Sequence, residues 1–269
     1  MPNGGSQFFT GLRSVVAALG IILMFVSMIW LQSIPREPAP SSEKMPTEGR
    51  LFPVVVLDPG HGGQDSGAIC GGLMEKDLTL DIAQRVDQKL QAQGLAAVMT
   101  RVGDAYVSLA DRVALTNRVP NSIFVSIHFN EGNKPVSSGI ETYYAEHQIT
   151  GGIRPIAAWL PFLRRVNLET PNLQSQSLAG FIQQSLLGRT HAIDRGVKAQ
   201  QFFVLANVRH PAVLVEGGFM TNKDDIARLN DPDYREQLAD AICDGVIRYR
   251  KLLQDRVRPS ETAGGDEAE

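Results

Sequence analysis

VVVLDPGH, residues 54–61, is the segment that decides the fold: it is an apolar, β-branched run followed by a Pro-Gly turn and a histidine. A short apolar run bounded by turn residues is typical of a buried strand. Because Pro59 and Gly60 end the run, we expect His61 to lie just beyond the carboxyl end of that strand.

Two later segments repeat this pattern, since IFVSIH ends at His128 and AVLVE ends at Glu216. In an open parallel sheet the carboxyl ends of the strands share one edge, and ligands bind in the crevice outside it. We therefore expect His61, His128 and Glu216 to meet in one site. Glu75 joins them if the Gly-rich loop of residues 62–72 folds back.

Residues 51–254 alternate apolar β-branched runs with segments of helical periodicity. This alternation predicts an α/β domain with an open, twisted, mostly parallel sheet of about six strands and helices on both faces. The predicted strands are residues 54–57, 96–100, 123–127, 140–144, 201–205 and 212–215.

Three helices are predicted from apolar spacing and from capping signals. Asp77 is the expected N-cap of the first helix, and Gly94 is its expected end. Ser108 opens the second helix as part of a capping pair, and Pro120 stops it. The third helix is expected over residues 234–253.

The N-terminal segment carries no charge between Arg13 and Arg36, and residues 15–31 are almost wholly apolar. As a helix, such a run crosses roughly 30 Å of hydrocarbon. It is longer than the core of a typical signal peptide, and no small-x-small cleavage site follows it. We therefore predict that residues 1–34 form one transmembrane helix, which anchors the chain without being cleaved.

The rest of the composition sets further limits. Pro, Ser and Glu dominate residues 35–50, which we interpret as a tether, and residues 255–269 are predicted to be a disordered tail. A net charge of −3 and a pI near 6.0 give no broad basic surface, so no nucleic-acid partner is expected. The sequence does not decide whether Cys70 and Cys243 form a disulfide.

Two histidines and a carboxylate are a recurrent catalytic zinc set, which leaves the fourth coordination position for water. A buried Glu216 would be costly without a partner, but beside such a water it could accept a proton and later deliver it to a leaving amine. A single histidine after a strand is usually structural. The conjunction of these residues is what indicates a zinc hydrolase.

Eight segments of the chain form a further pattern: LDPGHGGQDSGA (57–68), EKD (75–77), MTR (99–101), SLADR (108–112), SIHFN (126–130), GIETYY (139–144), RGVK (195–198) and AVLVEGGFMTN (212–222). From about residue 54 to residue 251, the chain resembles the zinc-dependent N-acetylmuramoyl-L-alanine amidases, the amidase type 3 family of cell-wall hydrolases.

The resemblance implies a metal, a reaction and a location. It makes His61, Glu75 and His128 ligands of Zn²⁺ and Glu216 the catalytic base, which agrees with the strand-end argument. The implied reaction hydrolyses the amide bond between N-acetylmuramic acid and the L-alanine of the stem peptide in peptidoglycan, during cell-wall remodelling or cell separation. We therefore expect a single-pass protein of the cell membrane, with its catalytic domain in the periplasm or cell wall.

Three more residues match the family's pattern. Asn130 is either a substrate-binding side chain or a loop cap. Arg101 and Arg112 are expected to join the sheet to a helix by ion pairs.

Residues 145–173 form an insertion where shorter members of the family pass directly to the next helix. Its apolar residues recur at helical spacing. It resembles the place where some of these amidases insert a helix that covers the zinc until an activator protein removes it. The insertion is therefore either a regulatory lid, in which Glu146, His147 or Glu169 occupies the open zinc position, or a helix that extends the core.

Two other functions stay open on the sequence alone. A zinc carboxypeptidase-like enzyme or a small-molecule amidohydrolase uses the same residue types, although the Gly-flanked motifs disfavour it. An inactive, membrane-tethered cell-wall-binding module would keep the fold without the chemistry, although all four site residues are present.

Overall fold

The computed structural model describes residues 52, 54–148 and 172–257 of the chain. The predicted anchor and tether, residues 1–50, lie outside the described residues and stay predictions. Within the part of the chain that is described, no helix is long and apolar enough to cross a membrane.

Eight strands and six helices are described. The strands are β1 (Val54–Pro59), β2 (Ile69–Cys70), β3 (Leu73–Met74), β4 (Ala96–Met99), β5 (Ser122–Asn130), β6 (Ile140–Tyr144), β7 (Asp194–Ala199) and β8 (Ala212–Phe219). The helices are α1 (Glu75–Ala92), α2 (Leu109–Arg118), α3 (Leu173–Thr190), α4 (Phe203–Asn207), α5 (Lys223–Asn230) and α6 (Pro232–Val257).

The main sheet has six strands in the order β4-β1-β5-β8-β6-β7. Neighbouring strands are parallel except for β6 and β8, which pair antiparallel. The predicted mostly parallel sheet is therefore confirmed. Because of the antiparallel pair, β6 begins at the edge of the sheet where β8 ends.

Helices cover both faces of the sheet, as predicted. One face packs on α1, α3 and α6 in the larger core, and the other packs on α2 and α4 in a smaller one. The helices α3 and α6 approach closely at Gly245, where an added Cβ would lie 2.6 Å from the Cα of Ile182. Cys243 of the larger core and Cys70 of the β2–β3 hairpin are both free thiols.

The predicted strand at residues 201–205 is wrong, because α4 occupies that region and the sixth strand is β7. In α4, the side chains of Val204 and Leu205 are buried in the smaller core. A short apolar run does not distinguish a buried helix from a strand. By contrast, β7 is a polar edge strand whose residues are exposed or half-buried, so it carries no apolar run.

The predicted N-cap at Asp77 is also wrong, since α1 begins at Glu75 and has no side-chain cap. Its first amides are satisfied instead by the Gly-rich loop: Glu75 N donates to Ala68 O at 2.9 Å, and Lys76 N donates to Ser66 O at 3.1 Å. The loop does fold back, through the β2–β3 hairpin.

Other predicted boundaries agree with the structure. Ser108 caps α2 by accepting a hydrogen bond from Asp111 N, and the helix ends at Arg118, before Pro120. Gly94 follows the end of α1 with a φ of +70°. The last helix extends to Val257, beyond the domain boundary predicted at residue 254.

A buried ion pair lies at the carboxyl end of β1. Asp58 and Arg112 are almost fully buried, and Arg112 Nη1 donates to Asp58 Oδ1 at 2.6 Å. The hydroxyls of Thr100 and Ser126 donate to the same carboxylate at 2.6 and 2.8 Å. The expectation that Arg112 joins the sheet to a helix by an ion pair is confirmed.

Both arginines bind backbone carbonyls of the turn that follows β1. Arg112 donates to Pro59 O and His61 O, both at 2.7 Å. Arg101 donates to Pro59 O at 3.0 Å and to Gly60 O at 2.8 Å, and it reaches α1 through Lys76 O at 2.7 Å. Arg101 therefore joins the sheet to a helix through carbonyls rather than through an ion pair.

We expect Arg112→Met to lower the free energy of unfolding by roughly 3–5 kcal/mol, because it leaves the buried Asp58 carboxylate without its cation. Adding Asp58→Asn to this variant should restore part of the loss, since the unpaired charge is then gone. Urea unfolding monitored by circular dichroism measures both effects. Arg118→Met, an exposed arginine on the same helix, is the matched control. A double variant as unstable as the sum of the two single variants would contradict the pairing.

Candidate metal centre

One histidine and two glutamates lie in one row across the sheet. His128 of β5 pairs with Glu216 of β8, and Glu216 pairs with Glu141 of β6. Paired residues on neighbouring strands direct their side chains to the same face. Gly60 comes next in the row beyond β5, and an added Cβ there would lie only 2.2 Å from His128 Cε1. The glycine therefore leaves the space that the imidazole occupies.

His61 enters the site from a tight turn. Its φ is +59°, a left-handed conformation that is uncommon for a residue with a side chain. The hydrogen bond from Arg112 to its carbonyl stabilises this conformation. Its Nδ1 lies 3.0 Å from Asp65 Oδ1, and its Nε2 lies 3.0 Å from Glu75 Oε1.

Glu75 bridges the two histidines from the first position of α1. Its Oε1 lies 3.0 Å from His61 Nε2 and 3.0 Å from His128 Nδ1. Phe129 N donates to the same oxygen at 3.0 Å, and Ala68 N donates to Oε2 at 3.0 Å. The folded-back loop thus brings Glu75 to both histidines, as the sequence suggested.

The three predicted ligands form one cluster, because one ligand atom from each of His61, Glu75 and His128 lies within 4.8 Å of the others. Burial alone would raise the pKa of Glu75, but the two histidines lower it well below its ordinary value. Two imidazole nitrogens and an ionised carboxylate are a donor set that suits Zn²⁺. These residues therefore fit the implied metal.

Glu216 lies beside this cluster in a different environment. Its Oε2 is buried and has no hydrogen-bond partner among the described residues. Burial raises the pKa of Glu216 well above its ordinary value, and the neighbouring carboxylates of Glu75 and Glu141 raise it further. Such a group takes up and holds a proton more readily than an ordinary carboxylate.

A pocket of about 270 Å³ opens over Glu216 and the two histidines. Its wall on the side of α2 and α4 is largely apolar. The apolar and aromatic residues of that wall are Tyr106, Val107, Leu109, Phe202, Phe203 and Val204. The pocket can therefore receive a substrate next to the predicted metal ligands and the unpaired carboxylate of Glu216.

Sequence reasoning missed the group around Glu141, a residue that is only 2% exposed. Asn130 Nδ2 and the Tyr143 hydroxyl donate to its Oε1, each at 2.5 Å. Arg195 Nε donates to Oε2 at 2.8 Å, and Lys198 Nζ donates to the same oxygen. The signal was a glutamate inside a buried strand, which needs cations nearby. Asn130 lies beside the site through this contact, and its substrate-binding role stays a prediction.

The expected lid residues lie beyond β6 or outside the described residues. Tyr144 of β6 pairs with Val213, three residues before Glu216 on β8, and three residues of strand span about 10 Å. Because β6 runs antiparallel to β8, the chain leads from there towards Glu146 and His147 in the direction away from the cluster of His61, Glu75 and His128. That Glu146 or His147 occupies the open zinc position stays a prediction. Glu169 lies outside the described residues.

Comparisons with known proteins identify one family. Residues 55–248 match the family described as N-acetylmuramoyl-L-alanine amidase. The chain is 34% identical over 252 residues to the N-acetylmuramoyl-L-alanine amidase LytC of Bacillus subtilis, a match that covers 92% of this chain and 44% of LytC. The chain thus spans less than half the length of that relative.

Solved structures share the fold. The amidase AmiC2 of Nostoc punctiforme has a TM-score of 0.63 at 36% identity, covering 76% of this chain and 99% of that one. The CwlD amidase of Clostridioides difficile, in complex with the GerS lipoprotein, has a TM-score of 0.62 at 25% identity, covering 74% and 99%. With the match over residues 55–248, these similarities show that the chain belongs to the N-acetylmuramoyl-L-alanine amidase family.

Proposed function

We propose that the chain is a zinc-dependent N-acetylmuramoyl-L-alanine amidase, which hydrolyses the amide bond between N-acetylmuramic acid and the L-alanine of the stem peptide in peptidoglycan. The observation that carries this proposal is the unpaired, buried carboxylate of Glu216 beside the cluster of His61, Glu75 and His128. Family membership supports the substrate, and the donor set supports the metal.

The residues of the site divide the chemistry between them. The two histidines and Glu75 would hold the zinc ion, which would supply Lewis-acid chemistry at the scissile carbonyl and at the attacking water. Glu216 takes a proton from the attacking water, and its raised pKa lets it keep that proton until the leaving nitrogen needs it. The buried arginines keep His61 in its turn throughout.

Neither alternative function is supported as well. The family match disfavours a carboxypeptidase-like enzyme. A binding module without chemistry would gain nothing from burying Glu216 Oε2 without a partner, because such burial lowers stability.

The purified full-length chain should release stem peptides with a free N-terminal L-alanine from purified peptidoglycan, as identified by mass spectrometry of the new ends. It should hold about one zinc per chain, because three protein ligands leave one position for water. Dialysis against a chelator should abolish the release, and added zinc should restore it. Peptidoglycan that stays unchanged in the presence of bound zinc, both with the unaltered chain and with a folded variant in which residues 149–170 are replaced by a linker, would exclude the reaction.

Variants of this chain separate the ligands from the base. His61→Ala and His128→Ala should lose zinc and activity together. Glu216→Gln should keep its zinc and lose at least about a hundredfold in kcat, because the proton transfer is removed while the ligands remain. Glu131→Gln, a neighbouring exposed glutamate, is the control. Loss of zinc from Glu216→Gln in metal analysis would mean that Glu216 is not the base.

We also propose that an activator protein acts on the insertion at residues 145–173. The two ends of the insertion meet, since Asn172 N donates to Glu146 O at 3.0 Å. The related CwlD amidase was solved in complex with a lipoprotein, which supports a protein partner. On this proposal the insertion restrains the site until the activator acts on it. Replacing residues 149–170 with a short Gly-Ser linker should therefore raise the rate of peptide release without altering His61, Glu75 or His128. An unchanged rate in the folded variant would remove this proposal.

Residues 1–34 are proposed to anchor the chain in the cytoplasmic membrane, with the catalytic domain facing the periplasm or cell wall. The support is the uncharged apolar run at residues 15–31 and the location of peptidoglycan. Carbonate washing should leave the chain in the membrane, and protease added to intact spheroplasts should digest the catalytic domain. Release by carbonate would refute the anchor, and full protection would refute the orientation.

A further inference from the structure

Two cationic side chains lie on the edge strand β7, next to the candidate site. The side chains of Arg195 and Lys198 on β7 are 33% and 39% exposed, and both donate to Oε2 of the buried Glu141. One carboxylate balances only one of these two charges. The pair therefore presents a net positive charge to solvent beside the site.

Both cations are held in place before any ligand arrives. Arg195 lies over the ring of Phe219, with its guanidinium carbon 4.7 Å from the ring centroid, and Lys198 Nζ lies 5.8 Å from the centroid of Tyr143. Arg195 uses Nε for Glu141, and neither of its terminal nitrogens has a partner among the described residues. Two such nitrogens match the two oxygens of a carboxylate.

The order of the strands relates this pair to the reaction. In the row across the sheet, His128 is followed by Glu216 and then by Glu141, which holds the two cations. If Glu216 protonates the leaving nitrogen, the peptide side of the scissile amide lies nearest Glu216. The apolar wall of the pocket lies on the side of α2 and α4, and none of its residues comes from β6 or β7. A peptide that extends from Glu216 along this row, away from the apolar wall, would reach Glu141 and its two cations, Arg195 and Lys198.

We propose that Arg195 and Lys198 form a subsite for a free carboxylate of the stem peptide, and that they determine which stem peptides the site accepts. This inference rests on the proposed amidase function. A stem peptide joined through its N-terminal amine keeps carboxylates on its acidic side chains and at its C terminus. A carboxamide at the same position has no negative charge, so it loses the charge-assisted hydrogen bonds.

Measurements of binding affinity test the subsite without requiring turnover. The probes are three muramyl dipeptides, N-acetylmuramyl-L-alanyl-D-glutamate, the corresponding isoglutamine and the diamide, which carry two, one and no carboxylates on the second residue. In calorimetric titrations of the zinc-loaded full-length Glu216→Gln chain, the affinity should fall at least about tenfold across the series, the size of a charge-assisted hydrogen bond. Equal affinities for the three probes would overturn the subsite.

Substitution of the cations identifies the groups responsible. In the same background, Arg195→Gln and Lys198→Gln should each reduce the difference between the probes, and each leaves the other cation on Glu141. Thermal unfolding shows whether each variant is folded. Arg189→Gln is the matched control, because this arginine pairs with Asp240 and Asp244 instead. A carboxylate preference that survives in both folded variants would also overturn the proposal.

Cleavage assays with the same probes distinguish failure of the subsite from failure of the proposed amidase function. If the unaltered chain binds the diacid best but releases no dipeptide from any probe or from peptidoglycan, the amidase function fails and the subsite stands. If it cleaves the diacid and the diamide with the same kcat/KM, the function stands and the subsite fails.

Discussion

The buried ion pair between Asp58 and Arg112 is the interaction on which the rest of the site depends. A charge placed under the end of a parallel strand is costly unless it is fully paired, and Asp58 accepts hydrogen bonds from three side chains. Arg112 also donates hydrogen bonds to the carbonyls of Pro59 and His61 at the following turn. The arginine that pairs with Asp58 thus also stabilises the left-handed conformation of His61, which links the stability of the core to the geometry of the candidate site.

The site could be predicted from the sequence where it depends on strand ends. His61, His128 and Glu216 each follow an apolar run, and parallel strands bring such positions to one edge. The position of Glu75 was harder to predict, because it depends on the β2–β3 hairpin, whose strands have two residues each. The sequence indicated only that the Gly-rich loop could fold back. The structure shows the hydrogen bonds by which it does so, from the amides of Glu75 and Lys76 to the carbonyls of Ala68 and Ser66.

The wrong strand at residues 201–205 and the unforeseen direction of β6 have a common physical origin. The local sequence pattern of a segment does not show which other segment it packs against. The run at residues 201–205 is apolar because α4 is buried in the smaller core, while β7 pairs along one side only and needs no apolar side chains. Strand direction is also invisible locally. Nothing in GIETYY shows that β6 runs antiparallel to β8, and this direction leads the chain towards Glu146 and His147 away from the cluster of His61, Glu75 and His128.

Three glutamates in this small region show how environment divides roles among identical side chains. Glu75 is ionised because two imidazoles and two backbone amides face it, and it is suited to binding a cation. Burial would raise the pKa of Glu141, but Lys198, Tyr143 and Arg195 lower it, so it stays charged and positions its neighbours. Glu216 lies between them and receives none of these partners, so burial and two nearby negative charges raise its pKa. Of the three glutamates, Glu216 therefore takes up a proton first, as the base role proposed for it requires.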